Sequence, residues 1–94
     1  MTWQEIREKY PNCWVLVEAF DATTENGMRV INTLIPLGEF GDDYKPAWDR
    51  YKALHQLARE RELYVLHTNR EELNIEVLDG FGRKLADAYQ NTPH

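Results

Sequence analysis

The chain has 94 residues, enough for one compact domain and too few for two. Its 43% hydrophobic and 29% charged residues lie in the ordinary globular range and exclude a disordered or fibrous chain. Eleven Lys plus Arg against sixteen Asp plus Glu leave a net charge of -5, which repels a phosphate backbone and disfavours nucleic acid as a partner.

Thr2 and Glu5 stand at capping-box spacing, so a short helix is expected from the first residues, with Trp3, Ile6 and Tyr10 on one side. Pro11 restricts the residue before it and ends that helix near Lys9 or Tyr10. Two runs rich in β-branched and aromatic residues follow, Cys13 to Phe20 and Met28 to Leu37, and read as antiparallel strands. Asp21 to Gly27 connects them and ends in Asn26-Gly27, a pair that accepts the positive φ angles of a tight hairpin. Pro36 lacks an amide proton, so the second strand ends there, bulges there or turns that position outward.

Asp42 and Asp43 are good N-caps for a main helix that no glycine interrupts as far as Arg61. At 100° per residue Ala47, Tyr51, Leu54 and Ala58 form its sheet-facing stripe, flanked by Leu57. Arg59 and Arg61 are placed in its last turn, where cations complement the helix dipole. Leu63 to Thr68 reads as a third strand, and the alternation of Leu73, Ile75 and Val77 as a fourth. Arg83 to Tyr89 suggests a short helix, and residues 91–94 a frayed end. The expectation is a single α+β domain over residues 1–94. It is a two-layer domain with a mainly antiparallel four-stranded sheet, one main helix and the order α-β-β-α-β-β.

The first two strands are apolar on both faces. Alternation sends Cys13, Val15, Val17 and Ala19 one way and Trp14, Leu16 and Phe20 the other, with Glu18 the one charge among them. One helix covers one face. The second face is covered either by a partner or by Trp3, Ile6 and Phe81 of the same chain.

Chemistry-bearing residues are sparse. Cys13 is the only cysteine, which rules out an internal disulfide, and beside Trp14 and Val15 on an apolar strand it reads as a small core residue. The absence of a long apolar span or a secretion signal gives the expectation of a cytoplasmic chain without membrane contact. His55, His67 and His94 form no spaced metal pair, so no metal or cofactor is expected. Asp42-Asp43 and Glu71-Glu72 are neighbours in sequence, whereas acid-base work needs carboxylates in different environments across a cleft. Gly80-Phe81-Gly82-Arg83 lacks the further residues of a dinucleotide or phosphate loop and reads as a turn.

Trp48, Lys52, His55 and Arg59 line one edge of the main helix, either as a docking edge for an acidic surface or as a boundary stripe. The acids from Glu62 to Asp79 are expected to face these cations, a self-complementary charge that suits a two-fold dimer. His67 with Arg70 and Glu71 is the alternative ligand or catalytic site.

Tyr10-Pro11-Asn12 followed by Trp14-Val15-Leu16-Val17-Glu18-Ala19, with Glu62-Leu63-Tyr64-Val65-Leu66-His67-Thr68 and Arg70-Glu71-Glu72-Leu73, resembles a family of small uncharacterised bacterial proteins over roughly residues 3 to 83. The resemblance implies the same hairpin, helix and strand order and carries no activity. Together these readings lead to an expected non-enzymatic interaction module. It self-associates as a homodimer or binds another protein through Trp14, Leu16 and Phe20, with Trp48, Lys52, His55 and Arg59 as a second surface.

Overall fold

The computed structural model describes residues 1–76. They form an α+β arrangement of α1 (Trp3–Lys9), β1 (Trp14–Glu25), β2 (Met28–Glu39), α2 (Tyr44–Leu57) and β3 (Leu63–His67). The strands make one antiparallel sheet in the order β2-β1-β3. Both outer strands run against β1 and so lie parallel to each other, with α2 as the crossover between them.

The hairpin is longer than composition suggested. Asn26 at φ 53° and Gly27 at φ 77° supply the two left-handed residues of a tight turn that closes directly on the Glu25–Met28 pair. Most of the expected connection from Asp21 onward is therefore ladder. Asp21 itself holds φ 50° within β1, and its carbonyl accepts a bond from the Asn32 side chain at 3.1 Å. Pro36 pairs with Val17 beside a register shift that leaves Leu37 without an opposite residue, so the proline marks a bulge on an edge strand.

The helix ends follow local chemistry. At α1 the Thr2 hydroxyl accepts from the Glu5 amide at 3.2 Å and the Glu5 carboxylate accepts from the Thr2 amide at 2.8 Å. These bonds hold the Glu5 carboxyl below the usual carboxylate range. At α2 Asp43 caps the Lys45 amide at 3.0 Å. This helix stops at Leu57 rather than Arg61, because Ala58 leaves helical geometry at φ -149° and ψ 81°. Arg59 and Arg61 thus lie beyond the helix, and Arg61 turns back to the sheet instead of serving the dipole.

The sheet is covered on both faces, which makes three layers where two were expected. On one face Trp3 and Ile6 of α1 pack with Cys13, Val15, Val17, Ala19, Leu34, Tyr64, Leu66 and Ile75. On the other, Ala47 and Tyr51 of α2 pack with Trp14, Leu16, Leu63 and Val65, joined by Phe40, Trp48 and Leu54. The alternation read along β1 divides its residues between these two cores.

Among the described residues the sheet has three strands, not four. The expected fourth run contributes one antiparallel bridge, Met28 with Glu76, and a bond from the Arg29 amide to the Ile75 carbonyl at 2.8 Å. Two features interrupt a ladder there. Asn74 is left-handed at φ 44°, and the Arg70 guanidinium takes the carbonyls of Glu72 and Asn74 at 3.0 and 3.3 Å. Val77, Phe81, the Gly80–Arg83 turn, the Arg83–Tyr89 helix, the end at 91–94 and His94 lie outside the described residues.

Candidate functional site

The sheet face under α2 carries the residues expected to meet a partner, and the chain itself closes most of it. Trp14 is 4% exposed and Leu16 is fully buried, both beneath α2. The Trp14 ring meets Tyr44 at 5.6 Å and the edge of His67 at 5.0 Å. Of the expected trio only Phe20 reaches the surface, at 42% exposure. Trp3 and Ile6 cover the opposite face, so those two residues act as internal cover.

The α2 face stays open over β2. The pairs Glu18–Ile35 and Phe20–Thr33 put Ile35 and Thr33 on the same face as Trp14, Leu16, Glu18 and Phe20. α2 packs against β1 and β3, whereas β2 is backed by α1 on its other side. Ile35 is left 46% exposed, diagonal to Phe20. Leu37 and Val30, elsewhere on β2, are also exposed, as is Leu57 at the end of α2. Ile35 was legible as one of the apolar residues of the second strand. Its exposure depends on where α2 crosses, which periodicity does not report.

Buried charge adds what composition did not reveal. Glu18 takes a two-pronged contact from Arg61, Nε to Oε2 at 2.9 Å and Nη2 to Oε1 at 2.5 Å. On the α1 side Glu62 is held in the same way by Arg29 at 2.9 and 2.7 Å, and its Oε2 also accepts from the Tyr64 hydroxyl at 2.6 Å. Each carboxylate raises the pKa of the guanidinium it holds, chiefly through the hydrogen bonds. The signal available in the sequence was a lone Glu within an apolar strand, since such a charge is buried only with a partner.

The helix edge divides. Trp48 and His55 are half-buried and stack on either side of Tyr51, at 5.3 Å and 5.5 Å between ring centroids. Lys52 is exposed, 3.7 Å from Asp49, and Arg59 is exposed beyond the helix end. His55 Nδ1 is buried with no hydrogen-bond partner among the described residues. Within one chain the described acids lie away from these cations, and Asp79 lies outside the described residues. Glu62 is engaged by Arg29, while Glu71, Glu72 and Glu76 are exposed on a segment anchored through Leu73 and Ile75 in the α1-side core. α2 lies on the opposite face.

His67 and Arg70 each make contacts of their own within the segment that carries the alternative site. The His67 ring packs on Trp14, and its Nδ1 accepts from the Asn69 amide at 3.1 Å. The Arg70 guanidinium serves the carbonyls of its own loop, and desolvation by burial lowers its pKa. Glu71 is exposed. Cys13 is buried, with its Sγ 3.2 Å from the Tyr10 carbonyl. No group of three or more potential metal ligands occurs among the described residues. No helix among them is long and apolar enough to cross a membrane.

Compared with family models, with curated proteins and with solved structures, the chain matches none. The resemblance to a small bacterial family therefore gains no support from them, and the geometry alone bears on function.

Proposed function

We propose that this chain is a non-enzymatic protein-interaction module that binds through the open strip of the sheet around Phe20 and Ile35. The observation that carries the reading is the uneven cover of β2. It is packed by α1 on one face and left with Ile35 46% exposed on the other, diagonal to a Phe20 that is also exposed. Apolar side chains gathered on a rigid sheet, rather than scattered singly, mark interaction surfaces. The lone cysteine, kept as a buried thiol, suits a reducing compartment and supports a cytoplasmic module.

A ligand-binding or catalytic reading through His67, Arg70 and Glu71 has less behind it, because the His67 ring and the Arg70 guanidinium are committed to different neighbours.

A photo-crosslinking residue at position 35 of the full chain, with position 60 as an exposed control, tests the proposal in cells. Covalent protein adducts are expected at 35 and not at 60. No adduct at 35 under conditions where the chain is folded and abundant would remove the reading.

A further inference from the structure

We infer that the hairpin turn at Asn26-Gly27 is a site of spontaneous deamidation, that Asn26 is the asparagine among the described residues which the fold leaves open to it, and that one of the two products loosens the end of the hairpin. This site is separate from the strip around Phe20 and Ile35, and its chemistry does not depend on what binds there.

Asparagine is a chemically labile residue, and its deamidation needs only water. The backbone nitrogen of the following residue attacks the side-chain carbonyl carbon Cγ and forms a new C–N bond. The proton of that nitrogen passes through water to Nδ2, the Cγ–Nδ2 bond breaks, and Nδ2 leaves as ammonia. The cyclic imide left behind takes up one water. Breaking the new bond to Cγ gives aspartate, whereas breaking the original peptide bond gives isoaspartate, in which the main chain runs through Cβ and Cγ.

The reaction requires an unshielded attacking nitrogen and a side-chain amide free to swing onto it. Gly27 carries no Cβ to shield its nitrogen, and nothing lies within 4 Å of where one would stand. Both turn residues are exposed, and the Asn26 side chain makes no hydrogen bond among the described residues.

The other described asparagines are held. Asn69 Nδ2 donates to Asn12 Oδ1 at 2.9 Å, Asn32 Nδ2 to the Asp21 carbonyl at 3.1 Å and Asn74 Nδ2 to Glu72 Oε2 at 3.4 Å. Each is followed by a residue with a Cβ, namely Cys13, Thr33, Arg70 or Ile75. The Cys13 and Arg70 amides are also engaged, donating to Thr68 Oγ1 and to the His67 carbonyl, both at 3.0 Å. Asn91 lies outside the described residues.

The two products differ in what they do to the hairpin. Asn26 at φ 53° and Gly27 at φ 77° form a turn that takes Asp-Gly as well as Asn-Gly, so aspartate keeps the fold and adds a negative charge beside Glu25. Isoaspartate adds a carbon to the main chain within the turn, which the closing Glu25–Met28 pair does not accommodate. That pair and the Met28–Glu76 bridge loosen. The ladder then closes at Thr24–Arg29, where the Arg29 guanidinium is held by Glu62 and by Thr24.

The experiment incubates the full folded chain at neutral and mildly alkaline pH, then maps its peptides by mass and detects isoaspartate with a carboxyl methyltransferase specific for it. Conversion at position 26 is expected to exceed that at positions 12, 32, 69 and 74 together and to rise with pH, since base removes the amide proton. Asn26→Gly keeps a turn of accepted chemistry and should abolish the conversion, and Asn26→Asp serves in its place if the glycine variant loses its fold. Hydrogen exchange on the separated isoaspartyl form should be faster than in the wild type at residues 25–28 and 76 and unchanged at Phe20 and Thr33, while Asn26→Asp should match the wild type throughout. An Asn26 that stays intact, or one converted no more than the other asparagines, overturns the site. An isoaspartyl form that exchanges like the wild type overturns the loosening.

Discussion

Arg61 closes a two-pronged pair with Glu18 across the α2 face of the sheet, with contacts of 2.9 and 2.5 Å. Because Leu63 is the strand partner of Glu18, this pair fastens the turn after α2 to the central strand where β3 begins. Removing one member leaves a charge stranded in an apolar strand, whereas removing both leaves neither. Arg61→Ala is therefore expected to lower the urea midpoint more than the double variant Glu18→Leu/Arg61→Leu. A double variant as unstable as Arg61→Ala alone would show that the stranded carboxylate is not the cause.

The second pair, Arg29 with Glu62, lies deeper on the α1 side and shares its carboxylate with the Tyr64 hydroxyl. Arg29→Met should cost about 2–3 kcal/mol, below the roughly 3–5 kcal/mol of a wholly buried pair, because the guanidinium keeps some contact with water. Tyr64→Phe removes one bond to a charged acceptor and should cost about 1.5–3 kcal/mol. Denaturant unfolding of both single variants and of their combination measures the coupling. Strict additivity would show that Glu62 is held by two independent contacts.

The features legible in the sequence are those set by neighbours in the chain. The Thr2–Glu5 capping box, the Asn26-Gly27 turn, the proline bulge and the Ala47, Tyr51, Leu54 stripe each depend on spacing of a few residues. The division of β1 into two apolar faces was legible as well. What covers those faces was not, because it depends on where α1 and α2 cross the sheet. Trp14 and Leu16 show this: their pattern is that of an apolar face, and only the position of α2 makes them core. Arg61 shows the same limit. Its place at the end of a helical run suggested a dipole partner, but Glu18, distant in sequence, draws it out of the helix. The fourth strand was read from Leu73, Ile75 and Val77, and the left-handed Asn74 breaks that alternation.

Cys13 gives a prediction in pH. Burial, and after it the Glu39 carboxylate, push the thiol above its ordinary value. The folded state thus holds the proton more firmly than the unfolded chain does. The stability this provides is complete below the unfolded thiol value of about 8.5 and is lost as pH rises past it toward the raised folded value. Urea midpoints of wild type and Cys13→Val should therefore diverge from neutral pH to about pH 10, with the wild type losing more. Alkylation of the native thiol at neutral pH should be slow and limited by unfolding. Parallel midpoints across that range would contradict the assignment.

His55 offers the reverse kind of test, a substitution expected to stabilise. Its ring stacks on Tyr51 at 5.5 Å with an angle of 11° between planes, while Nδ1 is buried without a hydrogen-bond partner among the described residues. A buried nitrogen that gives up water and gains nothing costs about 1–3 kcal/mol. Phenylalanine keeps a flat ring on Tyr51 and removes that nitrogen, so His55→Phe should raise stability by about 1 kcal/mol, less any strain from the larger ring. His55→Ala loses the stack as well and should lower it. Thermal unfolding of the three proteins decides the matter: a His55→Phe variant less stable than the wild type would mean that the imidazole makes a bond in solution, and the helix edge of Trp48, Lys52 and Arg59 would then be the place to look for its partner.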